Sequence, residues 1–337
     1  MHQILLIYNR VEGQWLESSS GVLEQLSAVK DALESLGFPF KTVEIHDLSH
    51  LARVLRENPH PIVFNLIEEF ADGIDYACYV PAFAAAFGKV CTGNSTSALL
   101  LAQNKWLTKI ILLSAGIPVP QGICIPVGRE LAENSLPDGR YIIKPALSDA
   151  SEGIDSDSVI DLPDAGCSQI IERIHYRLKQ PALVEEYIPA REFNIALMQS
   201  GDKLLTLPVA EIDLSGLDTK KPAIIDYQAK WVTDSFSYQN TPRIIPADLD
   251  EKIAQKIRQY AVRSWGLLGC SDYARVDFRM DERGKIYVLE VNPNPDISPD
   301  AGFAAALKAQ NITYKDFIKN VIRNAQKICE NYIGKDI

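Results

Sequence analysis

Apolar and polar positions change period several times along the chain, and each change marks an element. Ile4-Leu5-Leu6-Ile7-Tyr8 is a continuous apolar run of the kind found in buried parallel strands. A polar loop follows, then helical periodicity from Val22 to Leu36 stopped by Gly37, a strand at Lys41 to Ile45, a short helix at Leu48 to Glu57 and a strand at Pro61 to Leu66. This βαβαβ order predicts a parallel sheet with its ligand-binding edge at the carboxyl ends of the strands, at Asn9 and from Asn65 to Gly73. The loop after the first strand lacks a G-x-G-x-x-G fingerprint, so a dinucleotide site is not indicated.

Beyond Ser95, where a capped helix opens, the periods alternate again. Tyr141 to Pro145 and Ala182 to Ile188 read as strands, Phe193 to Met198 and Lys203 to Leu207 as a hairpin, and Leu207 to Ile212 as a further strand. A long irregular segment precedes an amphipathic helix from Leu249 to Trp265, ended by Gly266. Ser298-Pro299-Asp300 has the pattern of a helix start, and Tyr314 to Tyr332 is a long closing helix.

The strongest period-2 signal lies between these helices. Ala274, Val276, Phe278 and Met280 fall on one side of a strand, and Tyr273, Arg275, Asp277 and Arg279 on the other. Asp281-Glu282-Arg283-Gly284 is turn chemistry, and the return strand places Tyr287, Leu289 and Val291 on one face and Ile286, Val288, Glu290 and Asn292 on the other. Pairing Met280 with Lys285 sets Arg275 opposite Glu290, with Asp277 diagonal to it. Two carboxylates and an amide oxygen on rigid strands form a hard-oxygen set that suits magnesium completed by phosphate. The competing reading pairs Asp277 and Glu290 with Arg275 and Arg279 on a solvated face.

Composition narrows the classes. The 337 residues are 47% hydrophobic and 23% charged, enough for two or three lobes and without room for a long disordered arm. A net charge of -10 argues against nucleic acid or an anionic membrane as partner, so a bound triphosphate needs local lysines and a metal. The six cysteines show no C-x-x-C spacing, no apolar run reaches the length of a membrane span and no leader precedes the first strand, which predicts reduced thiols and a soluble, cytoplasmic protein.

The stretches D-F-R-M-D and I-Y-V-L-E-V-N-P-N-P, together with N-K-W-L-T-K at 104 to 109 and D-Y-Q-A-K-W at 226 to 231, resemble the ATP-grasp superfamily, most of all its D-alanine:D-alanine ligase group. The resemblance implies an α/β chain, α+β in its C-terminal lobes, with an N-terminal parallel-sheet (pre-ATP-grasp) domain at 1–95. A small nucleotide lobe at 96–190 and a C-terminal lobe with the metal hairpin at 191–337 would follow. It implies ATP with two magnesium ions, for which manganese could substitute, held by Asp277, Glu290 and Asn292. Lys105, Lys144, Gly153, Glu185, Glu186, Ile188 and Glu192 would bind the nucleotide, and Arg275 and Lys230 would serve catalysis. Trp231, Asp296 and Ser298 would face substrate.

The implied reaction joins a small-molecule carboxylate to an amine through an acyl phosphate. Neither nucleic acid nor membrane is a partner in this reading, and a homodimer is one assembly it allows. Departures from the family concentrate at the substrate edges. No glycine-rich, histidine-containing loop follows the first strand, the second loop lacks its histidine and two glycines, Ala150 stands where a serine is usual, and Trp231 where a tyrosine is usual. Asp296 brings a carboxylate to a loop that in the family receives one. A genuine D-alanine:D-alanine ligase, a phosphotransferase and a non-catalytic nucleotide-binding regulator are the alternative functions.

Overall fold

The computed structural model describes residues 3–11, 16–70, 73, 75–148, 153–163, 166–218, 222–225 and 234–333. Three sheets follow one another along the chain. The first is parallel throughout, with β1 (Ile4–Asn9), β2 (Phe40–Ile45), β3 (Ile62–Leu66) and β4 (Val90–Cys91) in the order β2-β1-β3-β4. Helices α1 (Leu16–Leu36), α2 (Leu48–Glu57) and α3 (Val80–Ala86) make its crossovers. The strands of this sheet have apolar residues on both faces, as the continuous run in β1 demands: Leu5 and Ile7 pack against α2 and α3, while Ile4 and Leu6 pack toward α1.

Helices α4 (Thr96–Gln103) and α5 (Lys105–Ser114) lead to the second sheet, which is antiparallel: β5 (Gly122–Ile125), β6 (Gly139–Pro145), β7 (Val159–Leu162) and β8 (Ala182–Glu186), in the order β5-β8-β6-β7, with α6 (Gly166–Arg177) against it. The third sheet holds β9 (Arg191–Ser200), β10 (Lys203–Thr206), β11 (Ala210–Ile212), β12 (Arg243–Ile244), β13 (Tyr273–Met280) and β14 (Ile286–Asn292). Helix α7 (Glu251–Leu267) covers one face of this sheet, and α8 (Gly302–Ala309) and α9 (Tyr314–Ile333) cover part of the other.

Three sequence expectations change. Helix α7 runs through Gly266, because its end is set by Gly269 at φ 66, where Cys270 N donates to Trp265 O at 3.0 Å. Ser298-Pro299-Asp300 does not begin a helix: Ser298 N is taken by Asp296 Oδ1 at 2.8 Å, so the segment turns, and α8 starts at Gly302 after Ala301.

The third change concerns register. Asp277 lies opposite Glu290, and Arg275 opposite Asn292, whereas Phe278 pairs with Val288, so Leu289 is an extra residue in β14. This β-bulge sends both Val288 and Val291 into the core with Val276 and Phe278, which a regular strand cannot do for residues three apart. It also separates Ile286 and Val288 from Glu290 and Asn292, which the alternation had placed together on one face.

The first and third sheets are tied by buried polar groups. Asn94 Nδ2 donates to Tyr273 O at 2.7 Å and to Pro293 O at 2.6 Å, and Asn294 Nδ2 to Ile67 O at 3.2 Å. Asp272, at φ 60, accepts from Gly93 N and from Asn324 Nδ2, both at 2.8 Å. Burial pushes its carboxyl up to about 7 against the lowering pull of those two hydrogen bonds. Between the ordinary carboxylate value and that point the folded protein holds a proton that the unfolded chain has lost. The stability it supplies is therefore complete at low pH and lost as pH rises through about 7. Wild type is expected to lose a few kcal/mol relative to Asp272→Asn between about pH 4 and 8; equal melting-temperature profiles would show that Asp272 is ionised throughout. Among the described residues no helix is long and apolar enough to cross a membrane, and the six cysteines are free.

Candidate active site

One face of the third sheet changes character along β13. Tyr273 and the neighbouring Met198 are buried under α8 and α9, but from Arg275 onward the same face carries Arg275, Asp277 and Arg279. The bulge in β14 adds Glu290 and Asn292 to this face, and β9 adds Asn194 beside Asp277 and Glu192 beside Arg279. Alternation in β13 was enough to group Arg275 with Asp277; bringing Glu290 directly across from Asp277 needed the bulge.

Arg275 grips Asp277 with two hydrogen bonds, Nε to Oδ1 at 2.7 Å and Nη2 to Oδ2 at 2.8 Å. The guanidinium thus supplies positive charge at the carboxylate assigned to a cation. Asn292 Oδ1 accepts from Asn294 N at 2.9 Å, which aims its side chain along the start of the following loop. Among the described residues no group of three His, Cys, Asp or Glu is arranged to hold a metal. Two facing carboxylates and one amide nevertheless match magnesium, which is held through one or two carboxylates and completed by phosphate and water.

Three lysines of α5 and β6 are buried. Lys105, Lys109 and Lys144 are 6%, 3% and 7% exposed, in a protein whose lysines otherwise lie mostly at the surface. Lys105 and Lys109 are one turn apart on α5, and Lys144 ends β6. Lys105 Nζ donates to Ser148 O, and Lys105 N to Ala146 O at 3.0 Å, so α5 is pinned to the chain leaving β6.

Glu185, only 1% exposed, stands between the other two lysines: Lys144 Nζ is 2.5 Å from Oε1 and Lys109 Nζ 2.9 Å from Oε2. Burial works to raise the Glu185 carboxyl, but the two ammonium groups outweigh it and hold it below the usual range. For Lys109 burial wins over the attraction of Glu185, and its ammonium is pulled down to about 8. Each oxygen of the carboxylate assigned to the nucleotide is thus within ion-pair distance of a lysine.

Gly153, at φ 72, closes the chain back under β6; a Cβ there would come within 3.0 Å of Pro145 and 3.1 Å of Leu178. Residues 149–152 of its loop, Ala150 among them, lie outside the described residues. Glu186 is fixed through its backbone, its N donating to Gln121 O at 2.7 Å. Ile188, 8% exposed, offers its carbonyl to Arg279 Nη1 at 3.4 Å. Glu192 accepts from Arg279 Nε at 2.9 Å and lies 2.7 Å from its Nη2.

Arg279 also donates from Nη2 to Ala223 O at 2.9 Å, a carbonyl shared with the Tyr187 hydroxyl at 3.0 Å. The segment at 222–225 is thereby anchored beside Glu192. Lys230 and Trp231, farther along the same loop, lie outside the described residues.

Asp296 caps the turn at Ser298, which is 2% exposed. Burial raises the Asp296 carboxyl, against the lowering hydrogen bonds of Ser298. Gln25, 3% exposed, joins this loop to the first lobe, accepting from Ile297 N at 3.3 Å and donating to Glu68 Oε1 at 2.6 Å. Sequence reasoning gave no role to Lys109, Gln25 or Asn194. For Lys109 a signal existed, its i, i+4 spacing from Lys105, whereas Gln25 on α1 and Asn194 on β9 carry none that their own segments reveal.

Residues 132–323 match the family model described as D-ala D-ala ligase C-terminus. The chain is similar to an uncharacterized protein, y4sG, of Sinorhizobium fredii, 28% identical over 295 residues that cover 86% of this chain and 82% of that one. A D-alanine–D-alanine ligase of Marinomonas sp. is 30% identical over 253 residues, 73% of this chain and 72% of the other. The solved D-alanine–D-alanine ligase of Bacillus anthracis complexed with ATP superposes with a TM-score of 0.76 at 16% identity, covering 98% of this chain and all of that one, a likeness of fold.

Proposed function

The chain belongs to the D-ala D-ala ligase C-terminus family, and on that premise we propose that it is an ATP-dependent ligase joining a small-molecule carboxylate to an amine, with release of ADP and phosphate. The observation that carries this reading is a buried lysine cluster joined to the carboxylate hairpin: Lys144 and Lys109 share Glu185, and Lys109 reaches the carbonyl of Leu289, next to Glu290, which faces Asp277. A triphosphate needs both, cations to spread its charge and hard oxygens to bind the metal that accompanies it.

In this reading Lys105 and Lys144 hold phosphate oxygens, and the edge at Glu186 and Ile188, with Glu192, receives the nucleoside. Asp277, Glu290 and Asn292 would hold magnesium, which would supply positive charge to the phosphates. The substrate carboxylate attacks the γ-phosphorus, the bond to the bridging oxygen of ADP breaks, and an acyl phosphate results. The amine then adds to the acyl carbon, the tetrahedral intermediate expels phosphate, and the amide remains. Arg275, on the same face as the metal ligands, is assigned to stabilise the oxyanion. Lys230 and Trp231 are assigned to the lid that excludes water from the acyl phosphate, on the strength of their sequence alone.

The substrates differ from D-alanine paired with itself. Supporting this are Ala150, Trp231, the missing histidine-glycine loop and an acceptor loop shaped by Asp296. ADP release measured with pools of amino acids, dipeptides and amines tests the ligase reading, and mass analysis must find an amide; a stable phosphoester would make the protein a phosphotransferase. With D-alanine alone, turnover below about 1 per second is expected. Faster formation of D-alanyl-D-alanine would make it the substrate pair.

A further inference from the structure

Three buried lysines lie on α5 and β6, yet only Lys105 and Lys144 are used in the reading above. Lys109 is buried as deeply as either, and its contacts point in two directions. Toward the second sheet its ammonium lies 2.9 Å from Glu185 Oε2, and through that carboxylate it faces Lys144, 2.5 Å from Oε1. Toward the third sheet it donates to Leu289 O at 3.0 Å. Leu289 is the bulged residue of β14, the one whose insertion brings Glu290 opposite Asp277.

Resting on the proposed nucleotide reading, we propose that Lys109 is a positioning residue, which ties the phosphate-binding side of the site to the metal-binding side by holding the Glu185 carboxylate and the bulged Leu289 carbonyl on one ammonium.

The physical case has three parts. A bulge leaves its extra residue outside the regular ladder, so its backbone groups need partners of their own. Here the carbonyl next to a metal ligand takes a charge-assisted bond, which is stronger and more directional than a neutral one. A buried ammonium is costly to desolvate, and one that only packed α5 would be replaced by a leucine or methionine of similar volume at no loss. Finally, Lys109 shares α5 with Lys105, so one rigid helix carries both the lysine assigned to phosphate and the lysine that fixes the hairpin. The consequence is coupling: magnesium and nucleotide should each strengthen the other's binding because Lys109 keeps their two surfaces in register.

The test is calorimetric and needs no knowledge of the amino-acid substrates. ADP binding is titrated over a range of magnesium concentrations for wild type, Lys109→Met and Lys109→Gln, with melting temperatures recorded for each. Wild type should bind ADP more tightly as magnesium is added. In both variants the magnesium concentration giving half of that gain should rise about 10- to 100-fold, the range seen when a group orienting a metal ligand is lost.

A purely structural Lys109 would lower the melting temperature and leave the magnesium dependence of the folded protein unchanged, which would overturn the proposal. Lys109→Gln removes the ammonium that serves Glu185 and Leu289 O together while keeping a polar side chain, so it remains the deciding variant should Lys109→Met not fold. Wild type that fails to bind ADP at any magnesium concentration would instead refute the nucleotide reading, and with it the role of Lys109.

Discussion

Asp277→Asn is expected to lower magnesium-dependent ADP formation by about three orders of magnitude while leaving the protein folded. An amide oxygen in place of the carboxylate removes one negative charge from a site built to face a triphosphate. Losing about 4 kcal/mol of charge stabilisation in the transition state corresponds to that factor. The fold should survive because Arg275, which bonds the Asp277 side chain at 2.7 and 2.8 Å, lies on the same strand, and the backbone of Asp277 stays in the ladder with Asn194 and Glu290. Arg275, released from its partner, cannot replace the cation's ligand. Glu290→Gln should act in the same direction. Steady-state ADP release over a magnesium titration, with circular dichroism to confirm folding, checks both, and either variant turning over with the magnesium dependence of wild type would remove its residue from the metal site.

Much of this geometry could be read from the chain, because the relevant signals were local. The first sheet followed from uninterrupted apolar runs, since a strand covered on both faces tolerates little else. The alternation of Arg275, Asp277 and Arg279 identified a polar face on an otherwise buried hairpin before any fold was known. What escaped was set by distant contacts. The run Val288-Leu289-Glu290-Val291-Asn292 reads as regular alternation, and only the demand of the core for both Val288 and Val291 creates the bulge. A lysine on an amphipathic helix is ordinarily a solvent-facing charge, so Lys109 became informative only once Glu185 and Leu289 were seen beside it. Glu185 was assigned to the nucleotide only through the family resemblance, and its service to two lysines was not legible, because one partner lies on α5 and the other on β6.

Glu185→Gln should be the most destabilising single change near the site. The wild-type cluster buries two ammonium groups against one carboxylate, a net charge of +1 that is tolerable because Oε1 and Oε2 each face a lysine at 2.5 and 2.9 Å. Glutamine keeps the shape and loses the charge, and it presents an NH2 group to one of two donors. Removing one partner of a buried ion pair costs about 3 to 5 kcal/mol, since the remaining charge is left in a medium that solvates it poorly. For a chain of this size that is a fall of about 4 to 7 °C in melting temperature. The competing outcome is local relief: Lys109, already pulled down to about 8 by burial, could shed its proton and spare the protein most of the cost. The two are separated by pH. Proton release makes the penalty shrink as pH rises from about 6 to 9, whereas a trapped charge keeps it constant over that range. Pairing the change with Lys109→Met removes the second ammonium and should recover more than half of the lost stability. A Glu185→Gln protein melting within about 2 °C of wild type at every pH would show that the two lysines do not depend on this carboxylate.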